Sequence, residues 1–142
     1  MHPPKVVLDT NVVVSAHLNP DGLERHVLNL ALARRLRLYL SAQILAEYEE
    51  VLRREKFAID PAKLGESLRL IRLKAKAIEP KTSLAVTSDP DDNKFLECAE
   101  EAGANYLVTG NRRHFPKLWK KTRIVSSREL IEEVVTRFKR PR

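Results

Sequence analysis

The stretch VVLDTNVVVSA, residues 6–16, decides how the rest of the chain is read. It opens as the β-branched apolar run of a buried strand, with Lys5–Leu8 as the candidate element. Asp9, Thr10 and Asn11 interrupt the run, and the valines then resume. An ionised carboxylate taken out of water is costly unless a counter-group pairs with it. Asp9 therefore needs a partner from elsewhere in the chain.

Working outward, further strand candidates lie at residues 36–40, 84–86, 105–108 and 123–125, the second of these four being the weakest. Helix-period segments fall between and after them at 23–34, 42–55, 61–76, 91–102 and 128–138. Alternation of strand and helix implies parallel pairing through right-handed crossovers. The expected fold is an α/β class, three-layer α/β/α sandwich with a mostly parallel sheet. A length of 142 residues suits one such domain, with RFKRPR at 137–142 as a frayed basic tail.

Composition narrows the class. The chain is 43% apolar and 32% charged, values of an ordinary globular protein. No apolar run approaches the roughly 18 to 20 residues that span a bilayer, and the start MHPPKVVLD lacks the pattern of an export signal. A soluble, cytoplasmic protein is expected. The lone Cys98 matches no disulfide or zinc spacing and reads as a small apolar residue on a helix face. Lys and Arg outnumber Asp and Glu 26 to 19, a formal charge of +7. Such a surface attracts polyanions, nucleic acid or an acidic protein.

In open α/β sheets ligands gather beyond the carboxyl ends of the strands. Asp9, Thr10 and Asn11 stand there after the first strand, Ser41 after the second, residues 88–92 after the third, and Thr109, Gly110 and Asn111 after the fourth. The acids near these ends separate by what else explains them. Glu49 and Glu50 precede Arg53 and Arg54 by four residues, which makes them surface ion pairs on a helix. Glu47 has Val51 at that spacing and borders the apolar stripe of Ile44, Tyr48 and Leu52, with no cation in view. In TSDPDDNKFLECA, Asp89 reads as an N-cap, Pro90 as the first helical residue and Asp91 as a first-turn acid. Asp92 precedes Phe95 and Leu96 by three and four residues, so it points with the core-facing side. Two carboxylates about 5 Å apart at an effective dielectric near 20 repel by roughly 3 kcal/mol, so three pairs would cost about 10. Either one of Asp9, Glu47 and Asp92 is protonated or cations sit among them, and a cluster of hard oxygen donors suits Mg2+ or Mn2+.

With VVLDTNVVVSA, ILAEYEEVL, DPDDNKFLECA and ANYLVTGNRRHFP in this order, the sequence resembles the PIN-domain family of metal-dependent nucleases over nearly its whole length, and most of all bacterial PIN toxins of toxin–antitoxin systems, VapC-like proteins. The resemblance implies catalytic, metal-holding roles for Asp9, Glu47 and Asp92. The family usually carries a fourth acid after the Thr that ends the fourth strand; here that place holds Asn111, whose amide oxygen can ligate a metal but brings no charge. Asp91 or Asp89 could make up the charge, or one metal could suffice. The implied activity is that of an endoribonuclease using Mg2+ or Mn2+, silenced by an antitoxin and working as a homodimer.

Asn11, Thr109, Arg112, Arg113 and His114 are the candidates for holding RNA, with Thr10 and Ser15 as further hydrogen-bond donors. Turn formation is the competing reading for Thr and Asn after strands, a solvated surface for the arginines and a helix cap for His114. Phe115, Leu118 and Trp119 read as core. A rival function keeps the fold without the chemistry: an RNA-binding module in which Asn111 marks a lost site. A flap-type DNA nuclease is disfavoured because no arch insertion is present, and a phosphoaspartyl receiver because TGNRRHF offers no Lys after the late strand.

Overall fold

Val6, Val7 and Leu8 are completely buried in a strand with parallel partners on both sides, which is why the first apolar run carries no polar face. The computed structural model describes residues 2–81 and 90–139. In chain order its elements are β1 (Lys5–Leu8), α1 (Thr10–Leu18), α2 (Leu23–Leu32), β2 (Arg37–Leu40), α3 (Ala42–Leu52) and α4 (Pro61–Lys74). They continue with β3 (Lys76–Ala77), α5 (Pro90–Ala102), β4 (Tyr106–Val108), β5 (Leu118–Trp119), β6 (Thr122–Val125) and α6 (Ser127–Lys139).

The sheet order is β3-β2-β1-β4-β6-β5, parallel except for the β5–β6 hairpin. From β1 the chain steps outward to β2 and β3, then returns through α5 to place β4 on the other side of β1. Strand order thus reverses between β1 and β4, and the crevice beyond their carboxyl ends is where such a sheet binds ligands. α5 packs on β1, β2 and β4. Because α1–α4 link strands in the opposite direction, right-handed crossovers put them on the opposite face from α5. The α/β/α layering and the mostly parallel sheet agree with the sequence reading.

Several boundaries differ, each for a local reason. Residues 10–18, given no element in the sequence reading, are helical: α1 begins at Thr10, directly after Asp9 in extended conformation, and buries Val12, Val13 and Ala16. Valine loses only about half a kcal/mol to alanine in a helix, which burial of three side chains exceeds. The strands β3 and β5 are two residues each, too short to show a period. β3 takes residues expected to end a helix at 76, since the chain turns extended at Ala75 and pairs with Tyr39 and Leu40. Likewise α3 stops at Leu52, where a separate turn of 3-10 helix, Glu55–Phe57, follows. Leu118 is 57% exposed on the hairpin, not core, Trp119 is half-buried, and only Phe115 of the three is buried. α6 runs on through Lys139, into the stretch expected to fray. The expected strand at 84–86 and the Asp89 cap lie outside the described residues.

Candidate functional site

Asp9 and Thr109 leave adjacent strand ends side by side. The Asp9 N–H donates to the Val108 carbonyl (2.9 Å) and the Thr109 N–H to the Val125 carbonyl (3.0 Å), so the ladder continues one residue past the strands. The Thr109 hydroxyl then donates to Asp9 Oδ2 at 2.7 Å, and receives the Asn111 N–H at 3.0 Å. Thr109 is fully buried and Asp9 is 6% exposed. Burial pushes the Asp9 carboxyl up to about 6, against the pull of the Thr109 hydrogen bond and the Thr10 amide. The carboxylates of Asp92 and Glu47 both push the same way as burial.

Glu47 reaches this crevice from α3. Ser41 caps that helix, its hydroxyl accepting from the Ile44 N–H at 3.2 Å, and Ile44, Tyr48 and Leu52 bury its apolar stripe. The buried Tyr48 hydroxyl donates to the Leu8 carbonyl, which ties the helix to the last residue before Asp9. Glu47, one residue earlier, accepts the Thr10 hydroxyl through Oε2 and pairs through Oε1 with Lys94 Nζ at 2.6 Å. Its neighbours Glu49 and Glu50 form the expected exposed pairs with Arg53 and Arg54, at 3.3 and 3.1 Å.

Asp92 enters from the first turn of α5, with Oδ2 3.3 Å from His114 Nδ1 and its side chain 15% exposed. His114 belongs to the short 3-10 turn Arg112–His114 that follows β4. Asp91 is exposed, and its carbonyl accepts from Lys94 Nζ at 2.6 Å. Lys94 is the residue that sequence reasoning missed: Glu47 showed no cation at helical spacing because its cation comes from another helix, forty-seven positions along the chain. The only signal was its place two residues after Asp92 on the same helix.

The candidate RNA contacts divide. Thr109 is committed to Asp9, and Asn11 Oδ1 accepts the Gly110 N–H at 3.2 Å, so both brace the strand ends. Arg112 pairs with Glu129 at 2.7 Å, and His114 meets Asp92. Arg112, Arg113, His114, Lys117 and Arg123, with Glu129 the one acid among them, line a groove of about 1100 Å³ that meets the acids where His114 contacts Asp92. A mostly basic groove beside an acidic crevice matches a track for a phosphate backbone.

Asp9, Glu47 and Asp92 thus gather about one crevice, each drawn to its own partner. Among the described residues no three His, Cys, Asp or Glu side chains stand within reach of one ion. The donor chemistry nonetheless fits a hard divalent cation, being carboxylate oxygens, with the Asn111 backbone bound to Thr109 beside Asp9. Asp9 is held up by burial and by two further carboxylates, a cost that a bound cation relieves. Lys94 and His114 already lie on two of the three acids.

A family model described as a PIN domain matches residues 5–113. An uncharacterized protein of Methanocaldococcus jannaschii is 33% identical over 114 residues, covering 76% of this chain and 71% of its own. Among solved structures, VapBC2 from Rickettsia felis bound to a DNA fragment from their promoter aligns with TM-score 0.51 and 18% identity, over 84% of this chain and 98% of that one. The PIN domain of RRP44 from T. brucei aligns with TM-score 0.53 and 13% identity, over 96% and 83%. The first-strand Asp, the helical Glu and the Asp that opens α5 all fall within the matched span, and the chain belongs to the PIN-domain family of nucleases.

Proposed function

We propose that the chain is an endoribonuclease that hydrolyses RNA phosphodiester bonds with Mg2+ or Mn2+, and that it serves as the toxin of a toxin–antitoxin pair. The observation that carries this reading is the gathering of Asp9, Glu47 and Asp92 from β1, α3 and α5 at the switch point, close enough for two of them to raise the third. These carboxylates would hold the ion, with Asn111 as a neutral fourth donor. When bound, the ion makes a water acidic enough to attack at neutral pH and offsets charge on the phosphate. Thr109 fixes the Asp9 carboxylate through Oδ2, and Thr10 fixes Glu47. Arg112, Arg113 and His114, with Lys117 beyond them, would hold the RNA backbone along the groove.

The toxin role is supported by the fold likeness to VapBC2 and by the +7 charge, which suits an acidic antitoxin segment as well as RNA. A homodimer and a cytoplasmic home follow from the same reading. A second reading, an RNA-binding module without chemistry, is favoured by Asn111 and by the separate engagement of each carboxylate. One assay separates the two. Purified protein incubated with RNA and Mn2+ or Mg2+ is expected to cleave, and EDTA or Asp9→Asn is expected to abolish cleavage. Cleavage that survives both controls is a contaminant's, and no cleavage in any arm favours the binding module.

A further inference from the structure

Lys94 carries an ammonium into the acidic crevice and is only 12% exposed. A cation so deeply placed is stable only where it is paired and hydrogen-bonded, and both conditions hold: Nζ lies 2.6 Å from Glu47 Oε1 and donates to the Asp91 carbonyl at 2.6 Å. Glu47 in turn has its other oxygen on the Thr10 hydroxyl. The side chain is therefore fixed at both ends of the contact, unlike the half-exposed Arg53 and Arg54 pairs on the outer face of α3.

Charge decides what such a lysine does beside a metal centre. Among the described residues, Asp9, Glu47 and Asp92 with Lys94 leave two net negative charges at the crevice, which one divalent ion neutralises; Asp91 is exposed and meets Lys94 through its carbonyl. A second ion would leave these four side chains with a net positive charge, and Asn111 supplies none to balance it. We propose that Lys94 is a built-in second cation: it positions Glu47 and restricts the centre to one divalent ion. This rests on the metal-nuclease reading above and adds the stoichiometry to it. Lys94 is a positioning residue, acting on the centre through Glu47.

The test is a Mn2+ titration of the whole chain at pH 8, with free Mn2+ read from its electron paramagnetic resonance signal. Wild type is expected to take up one ion per chain, and Lys94→Met to bind Mn2+ at least tenfold more tightly. Lys94→Arg, which keeps the charge, should stay within threefold of wild type. Thermal unfolding in EDTA reports on folding; should Lys94→Met fail to fold, Lys94→Gln retains a donor for Glu47 and gives the same comparison. Two ions in wild type, or equal affinity in wild type and the uncharged variant, overturns the proposal. Wild type that binds no Mn2+ overturns the metal centre itself, a separate failure.

Discussion

Asp9 is a carboxylate that the fold holds at a loss. In the unfolded chain it gives up its proton near 3.8, whereas in the native crevice it keeps the proton up to about 6. Its contribution to stability is therefore complete below pH 4 and is lost as pH rises through 6. The difference amounts to about 3 kcal/mol at most, at 1.36 kcal/mol per pH unit. Asp9→Asn, whose amide oxygen can still accept from Thr109, is expected to stabilise the EDTA-treated chain at pH 8 by about 1–3 kcal/mol in urea unfolding. Saturating Mn2+ should remove most of the wild-type difference between pH 4 and 8. An Asp9→Asn variant less stable than wild type in EDTA would contradict this account. His17 works with the opposite sign. Burial lowers its pKa, its Nδ1–H facing the Val13 carbonyl and its Nε2 accepting from Ser67, so its share of stability is lost as pH falls below 6.5. Cys98, pushed up to about 12 by burial, is an inert thiol, as its place on a helix face suggested.

At the scale of elements, α3 delivers Glu47, and the Tyr48–Leu8 hydrogen bond locks α3 onto β1. Tyr48→Phe leaves the apolar packing in place and removes the donor, which should cost about 1–3 kcal/mol because the Leu8 carbonyl loses a buried partner. Glu47 sits next in sequence, so kcat is expected to fall at temperatures where the variant remains folded, with circular dichroism as the check. Elements of this kind were legible to different depths. β1, β2, β4 and β6 announced themselves through short apolar runs, β-branched in β1 and β6, and the amphipathic spacing of Ile44, Tyr48 and Leu52 announced α3. α1 did not, because three consecutive valines carry the signature of a strand, and only burial against the neighbouring helices makes them helical. The pairings of β3 and β5 are settled by partner strands, information that no two-residue window contains.

For the whole molecule, the order of the strands does the gathering. Reversal between β1 and β4 opens one crevice, and three acids from distant parts of the chain reach it. Their identity could be read from the sequence once surface ion pairs and helix caps were subtracted, since Glu49 and Glu50 had cations at helical spacing and Glu47 had none. Their partners could not be: Lys94 and His114 meet Glu47 and Asp92 across elements, at sequence separations that follow no local period. Each acid of the site is thus held by a partner from another element: Asp9 by Thr109, Glu47 by Lys94 and Asp92 by His114. The most direct measurement is anomalous diffraction at the manganese edge from crystals soaked in Mn2+. A single peak bounded by Asp9, Asp92 and Glu47 is the expected result; a fully soaked crystal with no peak in that crevice, or with manganese bound only elsewhere, would contradict the account.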